Sequence, residues 1–508
     1  MMSITSNSAP LLTMTIASAI LPQLIIAFGI TLALLLVAWK RSQRTIAVFS
    51  SLILFTALLA NVSLLAMPTT QVTQLLKVDG YSRFAFSLIL ISALVALRMS
   101  HSFLKAHIEV HDEYYLLLLL LVLGAGVLVT SDHFASLFLG FELLSLSLVG
   151  LVGYHRESNY SVESAFKYLV LSATASSFML LGIAFIYSVT GDMSFNATTV
   201  SAIHHQQGLA LFYQLGLLLF VSGIAFKLSI APFHFWTPDV YQGAPTPVTM
   251  LMATISKVAM FVVLLKCIIA QRYWLHDNFQ LFLMSFAVIS MLLGNVMALK
   301  QQHLKRLLAY SSIAHMGYLL IVIIVTSAQS LAFTWQSALF YLAAYTLANL
   351  SIFIVIALIQ QQNSRVVFQE DILLADLQGL FWRVPSYGLL MLLGLLSLAG
   401  IPLTMGFIGK FYILSQATIA HAWWLIATLI IASGISLAYY LPMIFKIFAD
   451  APSDRLFDTQ KMNGKVKALE GHIIEQVLVY SFIVFGLVFG ILPEVINQLI
   501  ASVSKLAN

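Results

Sequence analysis

Fourteen apolar stretches of about membrane-spanning length follow one another along this chain, and they leave few folds open to it. The hydrocarbon core of a bilayer takes about 20 helical residues to cross. Inside it, every backbone N–H and C=O must find a partner without water, which selects helices. The runs are Ile16–Trp39, Thr45–Met67, Tyr81–Met99, Tyr114–Thr130, His133–Gly153, Val162–Tyr187, Leu209–Trp236, Val248–Ala270, Phe279–Leu299, Leu307–Thr326, Leu331–Ile359, Tyr387–Leu414, Trp423–Phe448 and Ile473–Ile500. They predict an all-α, polytopic membrane protein with about fourteen transmembrane helices. Sixty per cent of the 508 residues are apolar and 9% are charged, against roughly 25% in soluble domains. That balance excludes a soluble enzyme, a disordered chain and a nucleic-acid binder.

Loop charges test the count, because cytoplasmic loops carry an excess of Lys and Arg. Loops after odd-numbered runs hold fifteen basic residues, among them Lys40, Arg41, Arg98, Lys105, Arg156, Lys300, Lys305, Arg306, Arg365 and Arg383. The even loops and both tails hold four, namely Lys77, Arg83, Arg272 and Lys505. This asymmetry predicts termini that face away from the cytoplasm. The first fifteen residues contain no Lys or Arg, so the first run reads as a retained helix and not a cleaved signal peptide. The lone Cys267 excludes a disulfide framework, an iron–sulfur cage and a CxxC pair.

Besides Arg83 and Arg98, counted with the loops at the two ends of Tyr81–Met99, six basic residues fall inside the runs: Lys167, Lys227, Lys257, Lys266, Lys410 and Lys446. A charge at the bilayer centre costs about 3 kcal/mol even on the gentler scales. Lys266 and Lys446 lie near run ends, where a long side chain can snorkel to the interface. Replacing Lys266 is therefore expected to change little. Lys167 is five residues into its run and could also reach the interface. Glu142, Lys227, Lys257 and Lys410 are deeper, and so is His315. One carboxylate cannot neutralise three lysines, so the set predicts lysines that are neutral part of the time or solvated by internal water. A buried lysine beside a carboxylate that can move is a proton switch.

Two runs are interrupted. Pro232 lies within GIAFKLSIAPFHFW, and Gly400 and Pro402 lie within SLAGIPLTMGFIGKF. Proline removes a backbone donor and frees a carbonyl one turn earlier. Such backbone is tolerated at membrane depth only against protein or a watery cavity. Two broken helices in corresponding halves point to an inverted-repeat transporter core. There is no GxGxxG after a strand, no Walker loop and no His pair placed for haem. The adjacent His204 and His205 read as solvated loop residues, and the segment 449–472 reads as a cytoplasmic loop of no assigned function. The chain is expected neither to carry electrons nor to hydrolyse a nucleotide.

The stretches LGFELLSL, ESAFKYLVLSATASSF, GIAFKLSIAPFHFWTPDVYQGAPTPV, ATISKVAMF, LKRLLAYSSIAHMGYLL and SLAGIPLTMGFIGKFYIL carry a resemblance. From about Tyr114 to Phe448 the chain resembles the antiporter-like membrane subunits of respiratory complex I, the proton-pumping NADH:quinone oxidoreductase. Bacterial complexes hold three such subunits, L, M and N. The L type continues into a long lateral helix, and the M type usually has Glu at the position of Lys410. On both features this chain is similar to the N type of proteobacteria.

The resemblance implies helices four to eight (114–270) and nine to thirteen (271–449) as two inverted repeats, flanked by 1–113 and 450–508. It assigns a proton pathway to Glu142, Lys167, Lys227, Lys257, His315 and Lys410, and adds His234. Glu142 would turn between Lys227 and Lys167 to switch the proton affinity of Lys227. The proton would then pass through Lys257 and His315 to Lys410 and leave outward. The implied setting is the bacterial inner membrane, with no cofactor in this chain. FMN, iron–sulfur clusters and quinone belong to other subunits, and the partners are M-like and K-like neighbours, subunits A, H, J and L, and membrane lipids. Two other classes stay open on the sequence: a multi-subunit cation/proton antiporter, and a structural spacer whose charges form static pairs.

Overall fold

A computed structural model describes residues 16–107, 112–195, 207–270, 277–327, 330–363, 372–450 and 473–507. His204, His205 and the polar segment 451–472 lie outside the described residues. Apart from a small antiparallel hairpin, β1 (Thr70–Gln71) with β2 (Lys77–Val78), the regular structure described is helical. The first seven helices are α1 (Leu21–Ala38), α2 (Gln43–Ser63), α3 (Gly80–His107), α4 (Asp112–Thr130), α5 (Phe134–Val152), α6 (Asn159–Thr190) and α7 (Gln207–Leu228). The middle of the chain forms α8 (Trp236–Gly243), α9 (Thr246–Ala253), α10 (Ile255–Ala270), α11 (Asp277–Ala298), α12 (Leu304–Ile324) and α13 (Leu331–Asn363). Last come α14 (Leu380–Arg383), α15 (Pro385–Ala399), α16 (Met405–Ile419), α17 (Trp423–Phe448), α18 (Ile473–Ile491) and α19 (Glu494–Ala507).

Among the described residues, 13 helices are long and apolar enough to cross a bilayer, with α9 and α10 joined as one of them. Besides Val248–Ala270, which α9 and α10 share across Thr254, three predicted runs are not single helices. The run Leu209–Trp236 stops at Leu228 and restarts at Trp236. The run Tyr387–Leu414 divides into α15 and α16, of 15 residues each, around a left-handed Gly400 (φ 78°). The run Ile473–Ile500 stops at Ile491, and α19 begins at Glu494 just after Pro493, as expected where proline cannot continue a helix.

The centre of the bundle is made by α9–α10 and α12, which are buried on every side, with α13 nearly so. Helices apolar all round belong in such a position. At the periphery, Phe28, Phe166, Trp424, Phe445 and Ile474 project outward, as lipid-facing side chains do. Between membrane helices no hydrophobic force favours contact, so close backbone approach through small residues holds the pairs together. A Cβ at Gly140 would lie 3.0 Å from Gly124 O, and one at Gly216 would lie 2.9 Å from Gly182 O. These contacts clamp α5 on α4 and α7 on α6, and so fix the helices that bear Glu142, Lys167 and Lys227.

Several charges differ from expectation. Lys266 does not snorkel: its Nζ lies 3.1 Å from Asp79 Oδ2 and donates to Val129 O at 2.8 Å, with both side chains largely buried. Asp79 precedes α3, and its Oδ1 accepts from Ser82 N at 2.7 Å. A carboxylate held at that helix start meets the lysine before the lysine can reach the interface. Lys305 and Arg306, read as loop cations, stand in the first turn of α12. Lys305 is buried and donates to Ala244 O at 2.8 Å, which terminates α8. Arg98 lies within α3 and pairs with the buried Glu475 of α18 at 3.3 Å.

Candidate functional site: a row of buried lysines at two helix breaks

The break after α7 decides where two lysines go. Lys227 stands in the last turn of α7 and is fully buried. Its Nζ donates to Tyr168 Oη at 2.5 Å and Ser172 Oγ at 3.1 Å, both on α6. It also sits 5.1 Å above the Phe141 ring and 4.4 Å above the Tyr168 ring, where the negative ring faces attract a cation. A helix that ends inside a membrane leaves carbonyls without donors. Here each has one. Ala225 O accepts from Ile230 N at 2.8 Å, and Phe226 O from Trp236 Nε1 at 2.8 Å. Lys227 O accepts from the ammonium of Lys257 at 3.2 Å.

Lys257 comes from α10 and is also fully buried. Its second partner is Ser229 Oγ at 2.5 Å, and Ser229 in turn accepts from Thr237 Oγ1 at 2.6 Å. Ser229 has a left-handed backbone (φ 59°), unusual for a residue with a side chain, and this turn carries its hydroxyl to the lysine. Thr237 starts a face of α8 that continues one turn later at Tyr241. That ring lies near Ser312 and Tyr345, which hydrogen-bond each other at 2.8 Å, although its own Oη is buried without a hydrogen-bond partner among the described residues. The short α8 thus links the Lys257 pocket to the second half of the bundle.

In that half, His315 Nδ1 lies 2.7 Å from Tyr341 Oη, and its Nε2 lies 3.4 Å from Tyr440 Oη. The next group is Lys410 of α16, buried, whose Nζ donates to Leu398 O (3.2 Å), Ala399 O (2.9 Å) and Ser433 Oγ (3.0 Å). Leu398 and Ala399 are the last residues of α15. Between His315 and Lys410 lies a void of about 10 Å³ for a water centre, bordered also by Tyr341, Tyr345 and Ser397, which is room for one water molecule. Both interrupted helices therefore end on a lysine ammonium, Lys257 for α7 and Lys410 for α15. A cation is favoured there, because the unsatisfied carbonyls at a helix C-terminus carry the negative end of its dipole.

The remaining expected residues divide. Glu142 is within electrostatic reach of Lys227 and Tyr168, but among the described residues it makes no ion pair, and its Oε1 is buried without a hydrogen-bond partner. Lys167 is not held by Glu142. It is half-exposed at the rim, 2.7 Å from Glu163 Oε1 and 3.1 Å from Asp239 Oδ2. Glu163 is one turn away on α6, and Asp239 projects from α8, so two carboxylates already occupy the ammonium. His234 is buried in the break with its Nδ1 unpartnered.

Sequence reasoning missed Asp239 and Arg306. Arg306 Nη1 lies 2.6 Å from Asp239 Oδ1 and donates to Gln242 Oε1 at 3.0 Å. Burial alone would raise the Asp239 carboxyl, but the hydrogen bonds from Arg306 and Lys167 hold it below its ordinary range. Its signal was an acid three residues before Gln242, on one face of a short helix just after Pro232.

The stretch from 131 to 436, more than half of the chain, matches the model of the family described as NADH:quinone oxidoreductase/Mrp antiporter, TM. The chain belongs to that family. A chain of respiratory complex I from Thermus thermophilus, solved with bound aureothin, is similar at 30% identity over 95% of this chain and 99% of its own, with a TM-score of 0.79. The fold is shared with two more distant structures. One is a chain of a membrane-bound sulfane sulfur reductase, an archaeal respiratory complex, at 20% identity, 96% of both chains and TM-score 0.77. The other is a chain of the Mrp complex from Dietzia sp. DQ12-45-1b, at 18% identity, 96% of this chain, 97% of its own and TM-score 0.80.

Proposed function

We propose that the chain is the N-type, proton-translocating membrane-arm subunit of a bacterial NADH:quinone oxidoreductase. The observation that carries this reading is the pair of interrupted helices, each ended at depth by a buried lysine, with His315 and a water-sized void beside the second. No carboxylate pairs with Lys227, Lys257 or Lys410 among the described residues, so static ion pairing does not explain them. Held by hydroxyls, ring faces and helix-end carbonyls, such a lysine can give up its proton without stranding a partner carboxylate.

In this account residues 114–270 and 271–449 form the two repeats. A proton reaches Lys227 from the cytoplasmic side, and the free Oε1 of Glu142 is the acceptor that draws it. From Lys227 it passes to Lys257, whose hydrogen bond to Ser229 gives it a relay hydroxyl. The face of α8 with Thr237 and Tyr241 leads on to Ser312 and Tyr345, then to His315 and Lys410. Lys167 acts through Asp239, at the rim, and His234 lies buried in the break after α7. Quinone reduction elsewhere in the complex supplies the energy, through neighbours that we take to be M-like and K-like subunits. FMN, iron–sulfur clusters and quinone sit in other subunits. Both termini lie on the periplasmic side of the inner membrane, as the loop charges favour.

The Thermus match favours the complex I reading over a cation/proton antiporter. The test is NADH-driven acidification of membrane vesicles carrying Lys410→Ala, in samples where assembly is checked. Assembled complex with lost acidification supports the reading. Unchanged acidification, or sodium–proton exchange that proceeds without NADH, contradicts it.

A further inference from the structure

The side-chain row ends at Lys410, and the structure carries a polar file onward from it. Helices α13 and α16 run antiparallel in contact. A Cβ at Gly409 would lie 2.9 Å from the Tyr341 ring, and seven residues further in both directions Gln416 Nε2 donates to Thr334 Oγ1 at 2.7 Å. Ser337 lies between Tyr341 and Thr334 on the same face of α13 and is fully buried, with its Oγ unpartnered. Gln416 is 2% exposed, and its Oε1 is unpartnered as well. Two buried acceptors without protein partners, in one file inside a membrane bundle, are costly unless water serves them. The file reaches the protein's face under α19. There Asn497 Nδ2 donates to Tyr412 Oη at 2.6 Å, and Gln336 Nε2 donates to Asn497 Oδ1 at 3.5 Å.

We propose that protons released by Lys410 leave along the α13–α16 seam, through Tyr341, Ser337, Thr334 and Gln416, and emerge beneath α19. This rests on the pathway reading above. Lys410 Nζ gives a proton to water in the adjoining void, and each hydroxyl or water along the file takes one proton and passes one on, so no oxidant or other reactant is needed. Ile413 is buried on the same face of α16 as Gly409 and Gln416. It forms a dry step, and the file conducts when water crosses it. Apolar constrictions of this kind gate by wetting.

The test uses the whole complex in vesicles of known orientation, with Ser337→Cys. The single native Cys267 is buried in α10, so background labelling of this chain is low. A membrane-impermeant, water-soluble methanethiosulfonate should modify the Ser337→Cys thiol from the α19 face and not from the other. Gln416→Leu should slow that modification and NADH-driven pumping by about tenfold, and Gln416→Glu should restore both in part. Modification only from the cytoplasmic face, or none, overturns the exit route, as does normal pumping in Gln416→Leu. In those cases Lys227→Ala separates the two claims: if it still abolishes pumping, the lysine row stands and only the route is wrong.

Discussion

Removing Lys266 should destabilise the protein, although its position near a helix end suggests otherwise. The ammonium lies 3.1 Å from Asp79 Oδ2 and donates to Val129 O at 2.8 Å. Lys266→Ala leaves a largely buried carboxylate without its cation and a backbone carbonyl without a donor. Removing one partner of a buried pair costs about 3–5 kcal/mol. Asp79 keeps its hydrogen bond from Ser82 N at 2.7 Å and its place at the start of α3. A carboxylate at a helix start is stabilised there by roughly 0.5–2 kcal/mol. The expected loss is therefore at the low end, about 3 kcal/mol. Unfolding of the purified complex in detergent, followed on this subunit, measures it. Lys266→Arg should stay close to the parent, and Lys266→Ala with Asp79→Asn should recover part of the loss, because the stranded charge is gone. If Lys266→Ala unfolds like the parent, or the double variant is no better than the single, the pair does not hold α10 to α3 and the reasoning fails.

Two other changes probe the site. A Cβ at Gly400 would meet Lys410 Cδ at 2.8 Å and Nζ at 2.9 Å, and the φ of 78° disfavours any side chain. Gly400→Ala should therefore push the ammonium off the α15 carbonyls and lower pumping by at least about tenfold, at a cost of roughly 1–3 kcal/mol for the strained backbone; normal pumping in assembled complex would contradict this. At the rim, the lowered Asp239 carboxyl adds stability above the ordinary aspartate range, and this is lost as pH falls through its value in the fold. Asp239→Asn should remove that acid-side loss, seen as a flatter unfolding midpoint as pH falls below about 4, and an unchanged slope would refute it.

Most of the bundle was legible because apolar length is a local property. The predicted runs Leu331–Ile359 and His133–Gly153 differ from α13 and α5 by only a few residues at their ends. The breaks were legible as well, since Pro232, Gly400 and Pro402 act on their own segments. What stayed hidden depends on partners distant in sequence. Depth along a helix says how far Lys266 is from an end, but not that Asp79 faces it. The same reason moved Lys167 from Glu142 to Asp239, and turned Lys305 and Arg306 from loop markers into ties on α8. The split at Pro493, which makes α19 a separate helix, was concealed by apolar residues on both sides of it.

The central claim is that a buried lysine with no redox chemistry controls a coupled proton pathway. The most direct measurement is NADH-driven quinone reduction together with acidification in vesicles carrying Lys227→Ala, with assembly checked in the same sample. The account predicts an assembled complex in which both activities fall together, because Lys227 holds the first deep proton against Tyr168 and Ser172. An assembled complex that reduces quinone and pumps at the parent rate would contradict it.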